Sequence, residues 1–574
     1  MPQTLEALER QRTKLYEQLK AVGDFRPGTI SVNFRKCGKT NCACARKGHK
    51  GHGPQYLWNT TQGGQSRAQN LPMGAELEKV RKELAADRVF LGLCQQLVEV
   101  NEQICQLRPV QEVKDEKELE ALKKKFAEAI LGEMAQEVDR MVRRVFQDME
   151  RLGHVDLEAS EMAIRASSHQ MGGSLLEKLL NADGGGYRGA RTQCGKGHQA
   201  EFIEYRNKQL LTALSPVKVK RAYYHCEQCH EGVIPKDHNL DIVDTSFSPG
   251  VRRMMGQVGG KEPFEEGRRD LENLAGVWVK TKAVERVSQT IGKQIETVFQ
   301  AERELALSGK VVPLKAVPKL YIAIDGTGVP MVARETEGRK GKDKTAKAKT
   351  REAKLGCVFT QTELDDHQRP VRDEHSTTYV GAIETAEAFG TRIYAEAIRR
   401  GVSRAAQVVV LGDGARWIWG IAEEHFYGAI QIVDLYHARE HLALIAKLVY
   451  GASTIKSKAW LEARREQLDA ADVEAVIASL RRLRPSHTKV QEAVRTAADY
   501  FHTNAERMRY ADFRKQGLFV GSGVVEAGCK TICGQRLKQS GMHWTVRGAN
   551  AIIALRCCQL SARWEEFWEA RALG

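Results

Sequence analysis

The sequence predicts an α/β core interrupted by an all-helical insertion and preceded by helical and small Cys/His-rich regions. Three observations predict it. Short apolar, β-rich runs end in an Asp followed by Gly at Tyr321–Gly326 and Gln407–Gly414, the pattern of a strand delivering a side chain into a tight turn. Strand-like and helix-like segments alternate over 317–437, whereas 438–515 is almost purely helical and Arg-rich. A third acid, Glu526, follows Gly521-Ser522-Gly523 near the start of a further helix.

Taken in order, residues 1–110 read as a helical plus Cys/His-rich N-terminal domain. Leu5, Leu8, Leu15 and Leu19 recur on one helix face, and CGKTNCACARKGHKGH (37–52) follows. Cys37, Cys42, Cys44 and His49, with His52 as the alternative fourth ligand, supply sulfur and nitrogen donors for tetrahedral zinc. Residues 111–181 read as a helical spacer rich in Glu and Lys. Residues 182–240 read as a zinc-ribbon-like domain: Cys226 and Cys229 form a C-x-x-C knuckle, and Cys194 and His198, with His230 as the alternative to His198, complete a structural site across a hairpin. One strand of that hairpin offers Lys220 and Arg221 to a DNA backbone.

Residues 241–310 read as helical, with Ala275-Gly276 as the turn of a helix-turn-helix and Val284, Val287 and Ile291 as the apolar face of its second helix. Residues 317–437 form the first part of the core, 438–515 the insertion, and 516–574 the completion of the core with a basic tail. In that tail Arg536, Lys538 and Arg547 surround Trp544, and cations with an interleaved aromatic suit a DNA backbone and an unstacked base. The run 338–354 holds eight Lys/Arg against Asp343 and Glu352, and reads as a loop inside a hairpin that orders on phosphate.

The chain has 574 residues, 42% of them hydrophobic, enough for several cores. Its net charge of +15 suits a polyanionic partner, chiefly nucleic acid. No apolar run is long enough to span a bilayer, and the start is a charged helical pattern rather than a signal peptide. A cytoplasmic, nucleoid-associated protein follows as the expectation, with the thirteen cysteines reduced and the clustered ones ligating metal.

Asp325, Asp413 and Glu526 carry the chemistry. Brought together, three carboxylates repel one another and need cations to remain ionised. Two Mg²⁺ or Mn²⁺ ions about 3.5–4 Å apart are the apparatus for cutting and joining phosphodiesters. Asp434, His437 and His441 fall three and four residues apart, on one face of a helix, where they orient the acids, bind metal or touch DNA.

The segments IDGTGVPMV, REAKLGCVFTQT, STTYVGAIETAEAFG, LGDGARWIWGIAEEHF, IVDLYHAREHL and GSGVVEAGCKTICGQRLKQSGMHWTVRGANAIIALRC together resemble the ISKra family of bacterial insertion-sequence transposases, distant relatives of Mutator-like enzymes. The resemblance spans roughly 180–570, and the front resembles a small Cys-containing domain of unknown role. It implies an α/β ribonuclease-H-like catalytic core with an all-helical insertion, preceded by helical and small zinc-ribbon-like DNA-binding regions. It further implies an Asp-Asp-Glu catalytic triad at Asp325, Asp413 and Glu526, and a Mutator-like C-x-x-H signature at Asp434–His437 with Asp where Cys would stand. The implied activity is Mg²⁺-dependent strand cleavage and transfer on double-stranded DNA, at terminal inverted repeats and a target, by a homodimer or larger assembly. A domesticated DNA-binding regulator and a ribonuclease-H-like nuclease are the alternatives.

Overall fold

The computed structural model describes residues 5–62, 65–107, scattered helical positions between 120 and 151, 153–310, 316–341 and 347–572. Two compact units result, 1–131 and 132–574. Much of the expected spacer, including 111–119, lies outside the described residues, as do Lys342, Asp343 and Lys344 of the basic run.

In the first unit, α1 (Leu5–Lys20) is followed by an antiparallel meander of β1 (Thr29–Arg35), β2 (His52–Gln62) and β3 (Gln65–Leu71), and then by α2 (Ala75–Leu107). Leu8 and Leu15, two helical turns apart, meet Val100 and Ile104 of α2. Ile30, Tyr56, Trp58 and Leu71 of the sheet pack on Leu77, Val80 and Leu84 at the start of α2.

The second unit opens with α3 (Leu157–Asn181) and a four-stranded antiparallel ribbon, β4 (Arg191–Gln193), β5 (Gln199–Leu211), β6 (Pro216–Cys226) and β7 (Glu231–Val233), paired in chain order. After α4 (Pro235–Asn239) come α5 (Pro249–Lys261), α6 (Phe264–Ala275) and α7 (Thr281–Leu307). Ser248 caps α5 by accepting from Val251 N at 3.3 Å. Gly276, at φ 65°, supplies the left-handed residue that ends α6. Val284, Val287, Ile291 and Ile295 face the core.

The central sheet holds β8 (Val317–Pro330), β9 (Thr350–Gln361), β12 (Thr378–Ala382), β13 (Ala405–Gly412) and β14 (Ile430–Val433); a short ladder, β10 (Glu363–Leu364) with β11 (Pro370–Val371), stands apart. The order is β12-β9-β8-β13-β14. β9 runs antiparallel to both neighbours, and β13 runs parallel to β8 and β14. α8 (Ala386–Arg399) and α9 (Arg416–His425) make the crossovers. Leu320–Ile324 are buried throughout, as the central strand of a sheet covered on both faces requires. The basic run does not stay loose to its end: Arg351 and Lys354 are in β9, and Lys354 is buried, bonded to Glu352 at 2.9 Å and set over the Trp417 ring.

From β14 the chain enters α10 (Leu435–Tyr450), α11 (Ile455–Asp469), α12 (Val473–Arg482), α13 (Thr488–Thr503) and α14 (Tyr510–Lys515). It is then stapled back to the sheet. Lys319 Nζ donates to the carbonyls of Gln516 (2.8 Å) and Gly517 (3.1 Å), and Gln361 Nε2 to that of Gly517 (3.0 Å). Phe519 meets the stacked Tyr321 and Phe359 rings edge-on. The chain ends with α15 (Gly523–Gly528), a π-helical turn (Cys529–Gly534), α16 (Gln535–Leu537), α17 (Val546–Leu560) and α18 (Trp564–Ala572).

α7 and α17 cross at Gly292, where a Cβ would stand 2.0 Å from the Ala551 carbonyl oxygen. Gly292→Ala forces the helices apart, and the expected cost is about 1–3 kcal/mol. A denaturant midpoint equal to that of the parent chain would refute this close packing.

Candidate active site and metal centres

Strand register, rather than loop geometry, sets the first two acids side by side. Leu411 pairs with Ala323 on parallel strands, so two residues further along each strand stand Asp413 and Asp325. Gly412 pairs with Val433, so Asp434 follows in the same row. Asp325 Oδ1 accepts from Gly326 N at 2.7 Å, and Asp413 Oδ1 from Ala415 N at 2.9 Å. Gly414 must be Gly: its φ is +97°, and a Cβ would stand 2.5 Å from the Tyr500 ring. Tyr500 locks this turn by donating from its hydroxyl to the Asp413 carbonyl at 2.9 Å.

Burial, foremost, pushes the Asp325 carboxyl above the usual carboxylate range, and the neighbouring Asp413 charge adds to the rise. The Cys529 thiol, the Gly326 amide and His437 act the other way. His441 is lowered by burial and then by His437, against the pull of Asp413. It stacks on Tyr500 at 4.3 Å and meets His437 edge-on at 4.9 Å.

Asp434 is a fully buried clamp. Its carboxylate accepts from His437 N at 2.6 Å, capping α10, and from Ser522 N across the chain return. Leu435 N donates to Val520 O at 2.9 Å beside it. Ser522 Oγ in turn donates to Glu526 Oε1 at 2.8 Å. Glu526 is exposed on α15, which packs on β8 and β9. One turn further on, Cys529 is the residue that touches Asp325. Asp325, Asp413 and Glu526 do not close into a single group of ligand atoms within 4.8 Å of one another; among the described residues only two Cys/His groups do.

Those groups are Cys37, Cys42, Cys44 and His52, and Cys194, His198, Cys226 and Cys229. Each offers three thiols and one imidazole, a donor set that could hold a metal ion such as zinc. In the first, His52 rather than His49 completes the group. His52 Nε2 lies 3.0 Å from Cys42 Sγ, while His49 Nδ1 accepts from Gly51 N in its own loop. The backbone of Lys39, with Cys44 and His52, brings the Cys37 thiol down to about 6. In the second, His198 Nδ1 lies 3.0 Å and Cys194 Sγ 3.8 Å from Cys229 Sγ. Burial and the neighbouring thiols push Cys229 up to about 11.

The expected DNA contacts divide. Arg221 is buried and paired with Asp237 at 2.6 Å, so it holds the ribbon together. Arg536 is wholly buried, set over the rings of Phe264 and Trp544, with Nε donating to Gly259 O at 2.9 Å. Trp544 is a core residue whose Nε1 donates to Leu537 O at 3.0 Å. These three are not available to DNA. Lys220, Lys538 and Arg547 are exposed; Lys220 lies over the Tyr205 ring, and Lys538 donates to Thr327 Oγ1, two residues from Asp325. The sequence reading missed Tyr500 and Cys529, and no local pattern marks either: each matters through a partner far along the chain.

Residues 196–566 match an uncharacterised protein family, UPF0236. The chain belongs to UPF0236. Residues 5–82 match a domain of unknown function, DUF6788, which contains the first Cys/His group. Among curated proteins none matches the chain. A solved structure titled "Drosophila P element transposase strand transfer complex" is similar at 11% identity and a TM-score of 0.20, over 58% of this UPF0236 chain and 84% of the other; a likeness at that level carries no argument. No helix among the described residues is long and apolar enough to cross a membrane.

Two predictions follow from these sites. Each chain is expected to bind two equivalents of zinc, one per Cys/His group, and Cys42→Ser and Cys226→Ser are each expected to lose one equivalent by elemental analysis. Full occupancy in either variant would remove that group as a ligand set. The second concerns Asp325, whose folded-state pKa is raised, so its contribution to stability is present in acid and lost as pH rises through that pKa. Asp325→Asn therefore melts higher than the parent in chelator at neutral pH, and the difference shrinks on acidification. A difference independent of pH would contradict the assignment.

Proposed function

We propose that this protein is a DNA transposase that cleaves and joins strands at a centre built from Asp325, Asp413 and Glu526 in a ribonuclease-H-like core. The observation that carries the reading is the pair of carboxylates at the ends of adjacent parallel strands, half-buried and repelling one another. A mixed five-stranded sheet with helical crossovers, and a helix bearing the third acid packed on its central strand, support the fold assignment. The +15 net charge supports a nucleic-acid substrate.

The donors at the acid centre are all oxygens, which suits Mg²⁺ or Mn²⁺ rather than a thiophilic metal. When bound, two such ions supply activation of a water or 3′-hydroxyl and stabilisation of the leaving oxygen. The protein's own groups do the rest. Asp325 and Asp413 are fixed by the sheet and held to their turns by amide donors. Glu526 is directed by Ser522, which Asp434 anchors. His437 moderates the charge on Asp325. Lys538, exposed beside Thr327, is placed to meet a phosphate. The two Cys/His groups, with all four positions taken by protein, serve as structural zinc sites.

Asp325→Asn and Asp413→Asn are expected to lose Mg²⁺-dependent strand cleavage by at least about a thousandfold while retaining duplex binding. The assay uses the full chain with DNA carrying the element's own ends. Undiminished cleavage by either variant sinks the reading, and nicking without strand joining leaves a nuclease in its place.

A further inference from the structure

The geometry points to the groove between α7 and the first turns of α17 as the track that holds the backbone of double-stranded DNA, an assignment that rests on the transposase reading and adds the surface to it. The groove has a volume of about 1010 Å³. Its cations come from two separate parts of the chain: Lys280, Lys282, Arg286 and Lys293 at α7, and Arg547 at α17. All five are exposed.

Helix phase explains the arrangement. Val284, Val287, Ile291 and Ile295 bury one side of α7 in the core, so Lys282, Arg286 and Lys293 fall on the opposite side at helical spacing. The close crossing at Gly292, and Gly548 standing against Gln289, bring α17 alongside and place Arg547 across from them. From Lys282 to Lys293 the stripe runs ~16 Å at 1.5 Å per residue. That length spans about five nucleotides of one strand at 3.4 Å each.

The acids in the groove do not cancel this charge. Glu296 is taken by Arg392 and Arg303, at 2.9 and 2.8 Å, and Glu285 by Lys282 at 2.9 Å. Lys280, Arg286, Lys293 and Arg547 make no ion pair with a carboxylate among the described residues. Three exposed cations strung along α7 with a fourth facing them from α17, without a pocket that closes around any of them, suit an extended polyanion rather than a small anion.

One wall of the groove is joined to the strand of the first acid. Trp544, three residues before Arg547, exchanges backbone hydrogen bonds with the end of β8, donating to Pro330 O at 3.0 Å and accepting from Val332 N at 2.9 Å. Val546 N donates to Glu335 Oε1 at 3.2 Å in the same stretch. The strand so held runs directly back to Asp325. The segment that leads into Arg547 is thereby tied through its backbone to the strand that carries the first acid.

The test uses the full chain and a labelled duplex, with binding followed by fluorescence anisotropy across a salt titration. Replacing Lys280, Arg286, Lys293 and Arg547 by Gln is expected to weaken binding at least about tenfold and to reduce the log–log salt slope by about 3–4, close to one unit per lost phosphate contact. These side chains are exposed, and an unchanged melting temperature confirms the fold. A control chain carries Gln in place of Arg481, Arg484 and Arg495, which line a separate cleft in the helical insertion. Equal losses in the groove and insertion variants, or a parental slope in the groove variant, overturn the track while leaving the transposase reading intact. Preference of the groove for single-stranded RNA over the duplex overturns it in favour of another polyanion. Absence of duplex binding by the parent chain overturns both.

Discussion

The arrangement of the second unit turns on one buried carboxylate. Asp434 sits at the end of β14 with no exposure, and its two oxygens accept from the amides of His437 and Ser522. The first bond starts α10, and with it the helical insertion; the second receives the chain when the insertion ends. An unpaired carboxylate at that depth costs several kcal/mol, so both amides must be in place for the fold to close. The insertion is thus bounded at each end by the same side chain. The residues that follow, from Ser522 to Glu526, inherit their position from it.

Much of this was legible because it is written in short-range pattern. The apolar runs before Asp325 and Asp413 read as strand ends, and parallel register then sets the two acids abreast. The Ala275-Gly276 turn and the apolar face of α7 follow from helix period and left-handed geometry. What failed to show was burial. Arg536 and Trp544 look like a cation beside an aromatic on a solvated helix. The π-helical turn at Cys529–Gly534 widens the helix just before them and shifts the phase that a regular period assigns. Arg536 consequently enters the core, where Phe264, distant in sequence, completes its surroundings. Arg221 misleads for a related reason: alternation along β6 is clear, but Asp237, which draws its guanidinium inward, comes from α4, beyond β7. His52 displaced His49 because the reversal at Gly51, φ +104°, turns His49 away from the thiols.

The two Cys/His groups answer a different physical need. The ribbon's cluster rests on Cys194, Ala200, Ala222, Tyr224 and Cys226, and the N-terminal meander has little more. Cores of that size bury too little apolar surface to offset chain entropy. Both sheets gather three thiols and an imidazole at one end, where a bound metal would contribute folding free energy that packing cannot supply.

The proposed acid centre is assembled from parts of unequal rigidity. Asp325 and Asp413 are fixed by a parallel ladder buried on both sides, and Tyr500 closes the turn after the second. Glu526 arrives by a longer route, through Asp434, Ser522 and one turn of helix, and it points to solvent. Closing three carboxylates on one another without a cation is unfavourable, and burial already pushes Asp325 up, with the Asp413 charge adding to it. Cys529 occupies the contact with Asp325 instead, with a neutral thiol that burial keeps protonated. A cation drawn to the fixed pair would reverse the sign of that balance and favour Glu526 moving inward about the Ser522 anchor. In the proposed centre the strand pair would supply the geometry, and the helix the part that responds to charge.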